Sequence, residues 1–95
     1  MPAIEEVYAQ IAEFAQGRGA RRVYLYGSRA RGDALPKSDI DLAVEGCADF
    51  SGLYEDLQER LWSLLCIDAV NLDDHLSDSL RGQIERDGKV IYEAL

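Results

Sequence analysis

The sequence has two cysteines, two prolines and one histidine in 95 residues. Cys47 and Cys66 are not spaced as a CxxC pair, and His75 alone excludes a His-rich zinc site. Both cysteines read as small buried hydrophobes. No apolar run approaches the roughly 20 residues needed to span a bilayer, and the N-terminus lacks the charged-then-apolar pattern of a secretory signal. The expectation is a cytoplasmic chain with no membrane contact. Basic residues are scarce: 10 against 18 acidic ones, a net charge of -8. Non-specific nucleic-acid binding needs a basic face to neutralise phosphates, so direct nucleic-acid contact is not expected. Any anionic ligand would need local cations or a bound metal.

What is present suffices for one domain, residues 1–95. Hydrophobic residues make up 47% of it. A domain of this size buries roughly 60–65% of its unfolded surface, so its stability margin is thin. A chain this small is expected to have little room for a separate substrate-binding domain. That surface must come from a partner or a second copy, as a homodimer or a hetero-oligomer.

Ile4, Val7, Tyr8, Ile11 and Phe14 recur at helical steps, with Pro2 near the start and Gly17 past the end, predicting a helix over 4–16. Val23, Tyr24, Leu25 and Tyr26 read as a short buried strand. Residues 28–38 read as a helical turn followed by a loop. From Ile40 to Glu45 the pattern alternates, with Asp39, Asp41 and Ala43 on one side, which predicts a half-buried strand. Leu53, Leu57, Leu61 and Leu64 predict a helix over 51–65, with Asp49 or Ser51 as its cap. Residues 66–72 read as a third strand containing Asp68. Leu76, Leu80 and Ile84 mark a third helix, capped by Asp73 or Asp74 and ended near Gly88. Lys89 to Tyr92 completes a fourth strand. The fold class is α/β (α+β), a small sheet flanked by about three helices. The short link between the first two strands predicts a mixed sheet.

Chemistry concentrates between Gly27 and Leu42. Asp39 and Asp41 are two apart on a strand, so they share a face at about 6.5–7 Å along the chain. Two carboxylates leaning toward one point suit a hard cation such as magnesium, which substrate phosphates normally complete. Left uncompensated they repel, and aspartate is in any case depleted in strands. Gly27-Ser28 follows a buried strand, where glycine permits close backbone approach to a ligand and a helix start offers free N–H groups to an anion. Ser28 and Ser38 add hydroxyls, and Arg29 and Arg31 can each grip two phosphate oxygens. Gly-Ser followed ten residues later by Asp-x-Asp arises by chance roughly once in a thousand chains this long. Asp68 is an acid inside an apolar strand, costly unless paired or metal-bound. Tyr24, Tyr26 and Trp62 read as core residues. Arg18, Arg21 and Arg22 form a basic corner without an evident task.

Gly27-Ser28 with Asp39-x-Asp41, and the fuller string GSRARG…SDIDL, resembles the minimal nucleotidyltransferase branch of the DNA polymerase beta-like superfamily. The ending Gly88-Lys89-Val90-Ile91-Tyr92-Glu93 resembles that branch's terminal strand, so the likeness covers nearly the whole chain. The resemblance implies the nucleotidyltransferase fold, and nucleotide binding by Gly27, Ser28, Arg29, Arg31 and Ser38. It also implies two Mg²⁺ ions (Mn²⁺ being an alternative) on Asp39, Asp41 and a third carboxylate, for which Asp68 is the matching position. ATP is then the substrate. Members of the branch are often paired with HEPN-domain ribonuclease toxins and act as antitoxins by adding AMP to a toxin tyrosine. Two other readings stay open: nucleotidyl transfer to a small molecule, as in aminoglycoside-modifying relatives, and neutralisation of a partner by binding alone.

Overall fold

The computed structural model describes residues 3–61, 63 and 65–94. Pro2, Trp62 and Leu64 therefore lie outside the described residues. In order the elements are α1 (Ile4–Gly17), β1 (Arg22–Tyr26), α2 (Ser28–Arg31), β2 (Ile40–Glu45), α3 (Phe50–Glu59), β3 (Ile67–Asn71), α4 (Asp78–Asp87) and β4 (Lys89–Glu93). The strands form one sheet in the order β3-β2-β1-β4. β1 runs antiparallel to both β2 and β4, whereas β2 and β3 are parallel. The sheet is mixed, as the eight-residue reach between Arg31 and Ile40 demands: it is too short for a crossover. The parallel pair is joined by α3.

Alternation along the strands decides which face each side chain joins. Val23, Leu25, Ile40, Leu42, Val44, Ile67 and Ala69 point to one side. There they meet Val7, Ile11 and Ala15 of α1 and Leu53 and Leu57 of α3. Ile11, Ile40, Leu42 and Leu53 are fully buried. Each contributes about 1.5–3 kcal/mol by leaving water. The other face is covered too, but only in part. Tyr26, Ala43 and Ile84 form a second buried cluster, supported by Leu76 and Leu80. Ala43 is fully buried rather than solvent-facing, because α4 crosses over it. β2 is therefore buried on both faces through Leu42, Ala43 and Val44 and opens toward solvent at its ends, Asp41 with the preceding Asp39 at one and Glu45 at the other.

Several local expectations are corrected. α1 runs through Gly17 and ends at Arg18, and the left-handed residue that turns the chain is Gly19. α3 stops at Glu59, short of position 65. Beyond it, Ser63 turns the backbone, its N–H donating to the Leu61 carbonyl and its hydroxyl accepting from Leu65 N, bonds that compete with a helix. Of the two candidate caps, Asp49 accepts from Gly52 N at 3.0 Å. α4 is capped by Ser77, whose hydroxyl accepts from Leu80 N, and not by Asp73 or Asp74. Asp73 instead accepts from Gly46 N, tying the end of β2 to the turn after β3. α4 does end at Gly88. That residue's backbone is extended, and it is glycine because a Cβ there would lie 2.5 Å from the Ile84 carbonyl oxygen. Cys66 is exposed, contrary to its buried reading, while Cys47 is half-buried with its thiol 3.4 Å from the Arg18 carbonyl. The basic corner is largely paired. Arg18 bridges Asp49 and Asp56, and Arg22 bridges Glu45 and Glu93.

The open edge of β4 is guarded. Its register against β1 shifts between Val23 and Tyr24, leaving Ile91 as the extra residue of a bulge. A bulge and an edge lysine, Lys89, both discourage a further strand from adding there.

Candidate functional site

Three carboxylates meet at the uncovered corner of the sheet. Asp41 lies opposite Asp68 in the parallel β2–β3 register, which puts both side chains on the same face of neighbouring strands. Strands so paired are about 4.8 Å apart. Asp39 precedes the first residue of β2 and is exposed, as is Asp68, whereas Asp41 is half-buried. Burial, then the Asp68 and Asp39 charges, push the Asp41 carboxyl above its ordinary value, and Arg31 opposes the rise. Among the described residues none of the three makes an ion pair. A half-buried carboxylate facing two like charges without a counter-ion is unfavourable, and a cation relieves it.

The strand opposite adds a neighbour that sequence reasoning assigned to the core alone. Tyr26 pairs with Asp41 across the β1–β2 ladder and is 4% exposed. Burial and the Asp41 and Asp68 charges push its hydroxyl up to about 12. It stays a neutral phenol beside the carboxylates. The register that brings it there depends on the β1–β2 pairing, which the residue string around Tyr26 does not encode.

Gly27 connects this corner to α2. Its φ is +75°, and a Cβ placed on it would lie 2.5 Å from Asp41 Oδ2. The glycine thus makes room for a carboxylate of the protein itself. Its carbonyl accepts from the N–H groups of Ala30 and Arg31, closing the single turn of α2. Ser28 begins that turn and is half-buried, and the N–H groups of Ser28 and Arg29 are the ones left without helical partners.

The two arginines of the motif behave differently. Arg29 turns onto the following loop: its Nε and Nη2 donate to the Ser38 carbonyl at 3.1 and 2.8 Å, and Nη2 also donates to the Pro36 carbonyl at 3.1 Å. Ser38 closes the same loop, its hydroxyl accepting from Leu35 N at 2.8 Å. Arg29 and Ser38 therefore brace the segment that delivers Asp39. Arg31 stays exposed, with Nε on Asp33 at 3.2 Å and Nη1 on Asp87 at 3.3 Å.

The donor set is all oxygen, which suits a hard divalent cation. Among the described residues, no three His, Cys, Asp or Glu groups already close around one point. The residues thus fit a cation whose shell is completed by substrate phosphates, not an all-protein cage. A cleft of about 320 Å³ lies at the opposite ends of β2 and β3, lined by Tyr24, Glu45, Leu72, Arg81 and Ile84. It is remote from the carboxylates, which stand on open surface. Among the described residues no helix is long and apolar enough to cross a membrane.

Residues 9–94 match the family described as polymerase beta, nucleotidyltransferase. Three solved structures have the same fold. A minimal nucleotidyltransferase is 30% identical, with 90% of each chain covered and a TM-score of 0.68. A toxin–antitoxin complex solved with AMP-PNP contains a chain 24% identical, covering 97% of this chain and 75% of that one, with a TM-score of 0.67. A complex of a tri-AMPylated HEPN toxin from Shewanella oneidensis with an MNT antitoxin contains a chain 22% identical, covering 97% and 74%, with a TM-score of 0.68. At such identities the last two establish likeness of fold. No curated protein matches the chain.

Proposed function

This chain belongs to the polymerase beta nucleotidyltransferase family, in its minimal branch, and from that premise we propose that it transfers AMP from ATP to a tyrosine hydroxyl of a HEPN-type partner protein. The observation that carries the reading is the corner where half-buried Asp41 stands in register with exposed Asp68 and near exposed Asp39, none of the three in an ion pair among the described residues. Asp39, Asp41 and Asp68 would hold the divalent metal, Mg²⁺ or Mn²⁺, with the triphosphate completing its shell. When bound, the metal supplies positive charge that draws phosphate oxygens together and eases ionisation of the attacking hydroxyl.

The chain's own groups position and relay. Gly27 leaves Asp41 Oδ2 unobstructed. The first turn of α2, opened by Ser28, offers N–H donors to phosphate oxygens. Arg31 adds charge at the rim, while Arg29 and Ser38 hold the loop that carries Asp39. The acceptor hydroxyl forms a bond to the α-phosphorus as the bond to the β-phosphate oxygen breaks, and pyrophosphate leaves. Asp68, exposed beside Asp41, would take the hydroxyl proton. Little covalent chemistry is asked of the protein beyond this.

A protein acceptor is supported by the openness of the site, where Asp39 and Asp68 stand exposed. A tyrosine-bound AMP adds an anion that would repel RNA from a ribonuclease partner. A chain in a toxin–antitoxin complex with AMP-PNP and one in a complex holding an AMPylated HEPN toxin have the same fold. The test is co-expression with the product of the adjoining reading frame, using wild type and the Asp39→Asn/Asp41→Asn double variant. Intact mass should show AMP added by wild type only, and growth rescue should follow the modification. Rescue by the double variant would mean neutralisation by contact. AMP on no protein would leave a small-molecule acceptor as the better reading.

A further inference from the structure

We propose that Asp87 is a positioning residue for the nucleotide: it holds Arg31 beside the carboxylate corner so that the unused edge of the guanidinium meets the triphosphate. This rests on the nucleotidyl-transfer reading of the site.

Arg31 is held at two of its three nitrogens, Nε by Asp33 and Nη1 by Asp87. Among the described residues no hydrogen bond uses Nη2. Arg29, by contrast, gives both Nε and Nη2 to loop carbonyls. Of the two arginines in the motif, Arg31 is the exposed one, and its backbone N–H donates to the carbonyl of Gly27, the residue that abuts Asp41 Oδ2.

The two acids that hold Arg31 are not equivalent. The Asp33 side chain is 62% exposed and two residues away, so it follows Arg31 wherever the loop goes. The Asp87 side chain is only 9% exposed and closes α4, 56 positions along the chain. α4 is anchored to the sheet by Ile84, which is buried against Tyr26 and Ala43. Arg86, bonded to Asp87 from the outer side, and Arg31 hold the Asp87 carboxyl below the usual carboxylate range, so it stays ionised. Asp87 thus references Arg31 to the same sheet face that carries Asp41 and Asp68. An exposed arginine without such an anchor would spread over many rotamers and pay to order itself on the ligand.

The experiment measures affinity for Mg-ATP by calorimetry, and turnover where an acceptor is in hand, in wild type, Asp87→Asn, Asp87→Glu, Arg31→Gln and Asp87→Asn/Arg31→Gln. Asp87→Asn should weaken ATP binding about tenfold, the scale of one charge-assisted hydrogen bond, raising KM with little change in kcat. Asp87→Glu should restore most of it. The double variant should bind no worse than Arg31→Gln alone, because both changes remove one interaction. Circular dichroism identifies any variant that fails to fold, and Arg31→Gln, on an exposed residue, reads the same contact independently. If wild type binds Mg-ATP and Asp87→Asn and Arg31→Gln bind equally well, the positioning role is wrong while the nucleotide site stands. If wild type itself binds no Mg-ATP, the nucleotidyl-transfer reading fails and this inference goes with it.

Discussion

Gly27 is held by two separate constraints, and they make different demands on a substitution. Its φ of +75° is unfavourable for any residue with a Cβ, at about 1–3 kcal/mol. The clash with Asp41 Oδ2 can be relieved by swinging the carboxylate aside, which preserves the fold but displaces a carboxylate of the proposed metal site. Gly27→Ala should therefore stay folded, lose stability by that order, and lose nearly all transfer activity. Melts paired with an activity assay check this; full activity in a folded variant would mean the Asp41 position is not critical. Asp41 carries the opposite kind of cost. Burial and neighbouring carboxylates raise its folded pKa, so its ionised form at neutral pH opposes folding. Without divalent cation, Asp41→Asn should stabilise the fold slightly, by less than about 1 kcal/mol once solvent screening is allowed for, and so raise the melting temperature, while abolishing transfer. A lower melting temperature would show that the carboxylate makes a stabilising contact.

At the scale of elements, the contact between α1 and α3 depends on one arginine. Arg18 caps the end of α1 and donates from Nε to Asp56 on α3 at 2.9 Å and from Nη1 to the α3 cap Asp49 at 2.9 Å. Asp56 is 5% exposed, so its charge is tolerable only because Arg18, and to a lesser extent Arg60, compensate it. The Arg18 hydrogen bond holds the Asp56 carboxyl below its ordinary value of 3.8. An acid whose folded pKa is depressed contributes stability that is fully present above the unfolded value. That stability is lost as pH falls through the folded value. The melting temperature should accordingly drop below about pH 4 in wild type. Arg18→Gln should be several degrees less stable at pH 7 and show a smaller further loss on acidification. Parallel acid profiles of the two proteins would sink the assignment.

The whole molecule carries a net charge of -8 and an uncompensated carboxylate corner, so cation and nucleotide should act as stabilisers together. Mg-ATP at about 100 times its dissociation constant adds roughly 2.7 kcal/mol, on the order of 10 °C or more for a domain this size. Thermal melts with Mg²⁺, ATP and both, through the millimolar range, read this directly. Absence of any shift would count against a nucleotide site. The Asp39→Asn/Asp41→Asn variant should lose the response while keeping its fold.

The residue string alone determined the element order and the mixed sheet, because helical and alternating periods and a connection too short for a crossover are local properties. It also determined that Gly27, Ser28, Asp39 and Asp41 belong together, since their spacing carries the family motif, and it singled out Asp68, although the cost of burying an acid was not the reason, since Asp68 is exposed. Tertiary packing decided the rest. Whether Ala43 faces solvent depends on α4, which packs across the sheet from 40 residues away. Whether an arginine grips a ligand or a loop depends on which carbonyls the fold brings within reach, so Arg29 became a brace and Arg31 a rim group. The end of α3 was set by Ser63 competing for backbone bonds, against a leucine pattern that runs on. Tyr26 and Asp87 entered the site through register and helix packing. Those contacts span long stretches of chain, and no local pattern encodes which distant side chain will arrive.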